Sequence, residues 1–500
     1  MKTTFLKTAF LLGLLLIMSR GVWAESIFVD QSSPAGMEDG SASAPFKTIT
    51  QALEHARKIR FGVSSRGVGP SHKMINVHVA AGTYVGSFTP SANPLVEKLP
   101  VLLNVPRLKL CGALRFDESG NVVSGTETIL QPSTRQGPKQ HLMVVTRTNP
   151  TATSEFPERL EMAGDAVTIS GFYIDGWAAD GTKPNAANAQ SSALISLDGV
   201  TGFVVRENYL TRAGAFGITA RLSSGRIEGN VVENGGVGLN LTAGSDTFPA
   251  SLEILSNRVR NNVAGGMGLL GAAQTENDRL DLFNAHAYRR IPLPQFYNRA
   301  QEPAEVPDKL GAYVAGNDFS DNGQFGVRPG GYLRDQYRLD STDPSDATAN
   351  VAAQFVGNVF SANGVYGVVA DAGQIATTNR RKHVVNIDLS FESTTLEGNG
   401  WATVDGRERA GGQAYFGFWR YASSVSAVAE SDLSFKFAHD STIRICGDIT
   451  QFNYENRAID PTDATPTNNT LIVNNQALAG FCVPLYGCTF ELSPSSEHGE

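Results

Sequence analysis

Two long stretches carry the side chains best suited to chemistry. Residues 272–310 hold Tyr288, Arg289, Arg290, Phe296 and Tyr297, and residues 329–350 hold Tyr332, Arg334, Asp335, Tyr337 and Arg338. Aromatic faces fit the apolar side of a pyranose ring, and arginine forks bind hydroxyls or carboxylates. A third grouping, YIDGWAADG from Tyr173, contains Asp175 and Trp177, while Arg328 and Asp371 follow the glycines of neighbouring repeats. As acid, base or charge-stabilising groups the candidates are Asp175, Arg328, Asp371, Arg334 and Asp335. As ligand contacts they are Trp177, Tyr288, Arg289, Arg290, Tyr297, Tyr332 and Tyr337. Each also has a structural explanation. The aromatics can latch long loops to a wall, Asp175 can close a turn, and Arg328 with Asp371 can form a surface ion pair.

The elements that must position these residues are repeats. GNDFSDNGQFGV from Gly316 and GNVFSANGVYGV from Gly357 are near-copies, with weaker versions at Glu207, Gly229 and Ser256 and a trace from Ser393. Each reads as a short strand, an Asn-Gly or similar turn, and a second strand opening at Gly. Repeats of this kind stack, because one alone cannot bury its apolar face. The first Asn of each copy falls at 208, 230, 257, 317 and 358, in steps of 22, 27, 60 and 41 residues. The first two steps suit one coil of three short strands; the longer ones suit one or two coils carrying insertions. Stacked coils would set these Asn side chains in register, bonding along the axis in turns that tolerate left-handed backbone.

Alternation from the repeat Gly predicts two outward rows. One is Thr219, Asn240, Leu270, Arg328 and Val369; the other is Arg221, Thr242, Ala272, Gly330 and Asp371. Both insertions follow the same strand of their repeats, so both should emerge on one face, where solenoids place function.

Met1 to Ala24 reads as a secretory signal peptide: Lys2 and Lys7, an apolar run from Ala9 to Met18, then Val22-Trp23-Ala24. No membrane span is expected, and the protein should be secreted, periplasmic or at the cell surface. Fifty-one glycines, 18% charged residues and a net charge of −8 fit an all-β protein that does not bind nucleic acid. Cys446, Cys482 and Cys488 are candidates for a disulfide whose pairing the spacing leaves open, and Cys111 reads as a buried thiol. No metal-ligand spacing is present, and no cofactor is expected. The expected organisation is a signal peptide (1–24), a cap with first coils (25–98), a parallel β-helix (99–440), last coils or a C-terminal cap (441–492) and a tail (493–500).

Thr48 is a helix N-cap with Gln51 at the capping-box position, and Ile49, Ala52, Leu53 and Ala56 make the apolar stripe behind it. Strands at Ile27–Val29 and Ile75–Val79 flank this helix. The pattern Pro45-Phe46-Lys47-Thr48-Ile49, Ala52-Leu53 and Gly82-Thr83-Tyr84 resembles the N-terminal segment of exported right-handed parallel β-helix proteins, a pectate-lyase-like group whose domain here is named only as one of unknown function. The resemblance implies a single-stranded β-solenoid with a short capping helix and long one-sided loops. It also implies polysaccharide chemistry. A lyase needs a charge-neutralising cation or Arg and a base, and a glycosidase needs two facing carboxyl groups. The Gly-His-Gly and Asp-Pro-His-Asp patterns of two such enzyme groups are missing. The expectation is a protein that binds an extracellular polysaccharide through loops on one face, acidic polymers slightly favoured. Binding alone explains the residues as well as lyase, hydrolase or epimerase action. The alternative is a non-catalytic surface or adhesion scaffold with a protein partner.

Overall fold

The computed structural model describes residues 24–61 (35 apart), 73–146, 166–183, 192–271 (222, 243, 246, 247 and 250 apart), 311–331, 347–372 and 383–400, and strands at 412–418, 442–447, 452–456 and 470–474. Residues 1–23 of the expected signal peptide and the expected tail 493–500 lie outside them, as do Cys482 and Cys488.

The chain winds as a right-handed parallel β-helix. Apart from a short antiparallel pair, Gly244–Ser245 with Phe248–Pro249, its described strands fall into three parallel sheets of twelve, ten and ten strands. One coil is typified by Thr201–Arg206 in the first sheet, Tyr209–Thr211 in the second and Phe216–Arg221 in the third, before Ser224–Glu228 re-enters the first. Alternation decides what points inward. In the first sheet the inward position runs in unbroken register through Leu110, Ile169, Val205, Ile227, Ile254, Val314, Phe355 and Phe391. All eight are buried. Lone strands of this length are unstable, so the stacked column supplies the core that no single coil has.

Between the first and second sheets the turn is two residues long and ends on an asparagine. Asn208, Asn230, Asn257, Asn317 and Asn358 form a continuous ladder. Each Nδ2 donates to the next Oδ1, at 3.0, 3.0, 2.9 and 2.9 Å. Each backbone N–H bonds to the same oxygen. The sequence steps of 60 and 41 residues are thus single coils with insertions. The residue before the Asn is left-handed, with φ 54° at Glu207, 62° at Gly229 and 52° at Ser256. A second ladder, Asn262–Asn322–Asn363–Asn399, runs along the turn between the second and third sheets.

The helix Ile49–Phe61 closes one end. It touches Glu25–Val29, Glu97–Lys98 and Val101–Leu103, the terminal strands of the three sheets. Its start is a reciprocal capping box, with Thr48 N–H donating to Gln51 Oε1 at 3.0 Å and Gln51 N–H to Thr48 Oγ1 at 3.2 Å. Ile49, Ala52, Leu53 and Ala56 are buried as the stripe required. The fully buried Glu97 carboxylate accepts the N–H groups of Ile49 and Thr50 at 2.5 and 2.9 Å. Burial raises its pKa, opposed by those hydrogen bonds. Nothing in the local sequence marks Glu97 for this role.

Cys111 departs from expectation. Leu108 and Leu110 take the inward positions of Leu108–Cys111, so alternation turns Cys111 outward, half-buried and free. Cys446 lies on the strand Thr442–Gly447. No helix among the described residues is long and apolar enough to cross a membrane.

Candidate functional site on the third sheet

The connections show where the solenoid admits insertions. First-to-second turns are two residues long at 207–208, 229–230, 256–257, 316–317 and 357–358. An added residue there would take an Asn out of register and break the ladder. By contrast, the connections from the third sheet back to the first include 147–167, 272–310, 332–346, 373–382 and 419–441. The two insertions follow Gly265–Gly271 and Phe325–Gly331, which pair with each other. Both therefore leave the same edge of the same sheet.

The floor beside that edge is shallow. One outward row reads Val144, Ser196, Thr219, Asn240, Gly268 and Arg328. A second reads Thr146, Asp198 and Arg221, and further along Thr242, Leu270, Gly330 and Asp371. Leu270 was expected in the first row and lies in the second, with Gly268 in its place. Gly265, Gly266 and Gly268 follow one another closely, and the register shows that Gly266, not Gly268, aligns with the repeat Gly238. The second row consequently contains Leu270 where Ala272 was expected.

Small side chains let a ligand approach the backbone, and what rises from the floor is charged. Arg221 clasps Asp198 through Nε at 3.0 Å and Nη2 at 2.7 Å. The Arg328 guanidinium lies 5.9 Å from the Phe325 ring, and that ring occupies the space a side chain at Gly265 would need. His141 is drawn into the wall at the sheet margin, where its Nδ1 accepts the Ala193 N–H at 3.1 Å. Burial lowers its pKa to about 4, so it is neutral at pH 7.

The sequence candidates separate. Arg328 lies on this face, and Asp371 pairs with Gly330 on the neighbouring strand, a register position diagonal to Arg328. Asp175 and Trp177 do not share it; they belong to the second sheet and its exit turn, where Asp175 accepts the Trp177 N–H at 2.9 Å and pairs with Arg212. Tyr288, Arg289, Arg290, Tyr297, Tyr332, Arg334, Asp335 and Tyr337 lie outside the described residues. The floor residues Ser196, Thr219 and Gly268 carry no chemical signature of their own. Only their column in the repeat could have marked them. Among the described residues no group of three His, Cys, Asp or Glu is placed to hold a metal ion.

A sequence model of a family of proteins of unknown function (DUF1565) matches residues 34–285, half of the chain. No curated protein matches. Similar solved structures include the A-module of the mannuronan C-5 epimerase AlgE4 of Azotobacter vinelandii, 14% identical with a TM-score of 0.43, covering 90% of this chain and 95% of that one. Another is the pectate lyase Pel9A, 12% identical with a TM-score of 0.33, covering 90% and 80%. A third is PfbA, a surface adhesin of Streptococcus pneumoniae, 11% identical with a TM-score of 0.35, covering 91% of each chain. The fold described above rests on the strand pairing itself.

Proposed function

The chain belongs to the DUF1565 family, and from that premise we propose that the outer face of its third sheet binds an extracellular polysaccharide, the protein being exported. One observation carries the reading: both long insertions, 272–310 and 332–346, follow paired strands at one edge of this sheet, beside a floor of Ser196, Thr219, Asn240 and Gly268. A linear chain laid along the solenoid axis would meet a new rung every ~4.8 Å. Tyr288, Tyr297, Tyr332 and Tyr337 would stack on sugar rings from the side. Arg328, with Arg289, Arg290 and Arg334, would meet carboxylates, which slightly favours an acidic polymer. The role proposed is binding: Asp198 on this floor is already held by Arg221.

The test titrates the exported protein with polygalacturonate, alginate and a neutral xylan, following both binding and new reducing or unsaturated ends. Thr219→Trp, which raises a bulky ring from the floor, is expected to abolish binding of the two acidic polymers while leaving the fold intact. Arg328→Ala should weaken acidic polymers about tenfold and reduce the salt dependence. Binding of polygalacturonate or alginate that survives Thr219→Trp would rule out this face. No binding to any of the three would leave the surface scaffold with a protein partner as the better reading.

A further inference from the structure

The outer face of the second sheet carries a denser set of polar groups, on residues the third-sheet reading does not use. Two outward rows are in register: Tyr173, Tyr209, Val231 and Arg258, and Asp175, Thr211, Glu233 and Arg260. Tyr173 and Tyr209 stack with centroids 4.8 Å apart. The Tyr209 hydroxyl donates to Glu233 Oε1, Arg260 Nε donates to Glu233 Oε2 at 3.0 Å, and Asn234 Nδ2 donates to Oε1 at 3.1 Å. One coil back, Arg212 grips Asp175 through Nε and Nη2. The Arg212 guanidinium lies 4.3 Å, and Lys183 Nζ 4.6 Å, from the centre of the Trp177 ring.

Outward side chains on a solenoid are ordinarily wet, yet the Asp175 and Glu233 side chains are only 5% and 10% exposed, against 32% and 40% for their arginines. The acceptors are sunk and the donors form the lip. Both guanidinium groups are anchored from beneath, leaving Arg212 Nη1 and both Nη groups of Arg260 without a hydrogen-bond partner among the described residues. The Tyr173 hydroxyl is likewise unpartnered there.

A wall borders the first of the two rows. The segment 113–127 folds back on itself, with Phe116 bridged to Val122 and Asp117 N–H bonded to Asn121 O at 2.9 Å. It is rooted before Thr128–Pro132, yet Ser119 O accepts Arg258 Nη2 at 3.1 Å. That contact lies four strands further along the sheet, a reach of about 19 Å. Gly120 makes the contact possible: it is left-handed at φ 75°, and a Cβ there would collide with the Arg258 guanidinium. The turn holding Trp177 and Lys183 stands at the opposite margin.

We propose that this face is a second binding site, for a neutral, hydroxyl-rich saccharide. It does not rest on the third-sheet reading. The chemistry selects the ligand. Arg212 and Arg260 are each neutralised by a carboxylate in direct contact and Arg258 stands opposite Asp318, so beyond Lys183 the face offers a polyanion little net attraction. What it offers instead is fixed donors from Arg260 and Arg212 at the lip, and the Tyr173 hydroxyl, which both donates and accepts, over carboxylates that are nearly covered. Sugar hydroxyls, which also donate and accept, match that set. Anchoring the guanidinium groups beforehand lowers the ordering cost of binding.

The experiment titrates the full exported chain calorimetrically with cellohexaose and xylohexaose. At least one is expected to bind. Tyr173→Phe keeps the stacked ring and removes only the unpartnered hydroxyl; it should weaken binding about 3- to 10-fold with no loss of thermal stability. Arg260→Met should weaken it further, and Thr219→Trp on the third sheet should leave it unchanged. A purely structural ladder predicts the reverse: Tyr173→Phe without effect on any ligand. The proposal is overturned if neither hexasaccharide binds at millimolar concentration, if Tyr173→Phe binds as the parent does, or if Thr219→Trp abolishes the binding.

Discussion

Asn317→Ala is expected to lower the stability of the solenoid by roughly 3–5 kcal/mol, far more than an ordinary polar substitution. Asn317 sits mid-ladder and is fully enclosed. Its Nδ2 donates to Ile254 O at 2.8 Å and to Asn358 Oδ1 at 2.9 Å. Its Oδ1 accepts both the N–H and the Nδ2 of Asn257 at 2.9 Å. A further Nδ2 bond reaches Ala315 O at 3.1 Å, and alanine removes all five, leaving buried donors and acceptors on the coils above and below with no route to water. Each such orphan costs about 1–3 kcal/mol. Asn240→Ala is the control, since Asn240 is half-exposed on the outward row and should change stability by less than about 0.5 kcal/mol. Urea denaturation of both variants decides the matter, and coincident midpoints would remove the ladder from its central role. Because coils interact mainly with their neighbours, the Asn317 variant should also unfold less cooperatively, with a shallower transition.

The second large effect is a loss of stability in acid, traced to His141. Its folded pKa of about 4 lies below the ordinary value of 6.5, chiefly through burial. The unfolded chain therefore takes up a proton at a pH where the folded chain cannot. Stability contributed by the neutral ring is intact above pH ~6.5 and falls as the pH drops toward about 4. The total is roughly 3 kcal/mol. His141→Asn keeps an acceptor near the Ala193 N–H and removes the titration, so the variant should lose its pH dependence across that window. The comparison with the parent matters because Glu97 and Asp318 work the other way. Burial raises both carboxyls in the folded state, so they add stability as the pH falls. Denaturation midpoints at pH 7, 5.5 and 4.5 for parent and variant separate the contributions. Parallel midpoint curves would show that His141 titrates normally.

The features legible in the sequence are those produced by short periods. Asn208, Asn230, Asn257, Asn317 and Asn358 could be aligned by eye because each occupies the same turn, and the turn permits few other residues. The capping box joins Thr48 and Gln51, three positions apart, and the helix stripe behind it repeats within one turn. The attachment of both insertions to one strand position followed from the same alignment.

Tertiary structure alone decided which side chains meet across coils. Glu233 finds Tyr209 at 24 residues' separation and Arg260 at 27, Asp175 finds Arg212 at 37, and Arg258 reaches Ser119 at 139. These separations share no period, because every coil carries its own insertions. The outward rows were read from the repeat Gly, which follows the third sheet. The columns following the repeat Asn, where Tyr209, Arg258 and Glu233, Arg260 stand, belong to the second. Even the third-sheet row slipped by two residues at Leu270, where crowded glycines left the sequence without a landmark for hydrogen-bond register. Residue types within a coil determined that the chain would wind and where it would turn. The stacking of unequal coils, which is geometry rather than sequence spacing, determined which charges became buried partners and which surface they built.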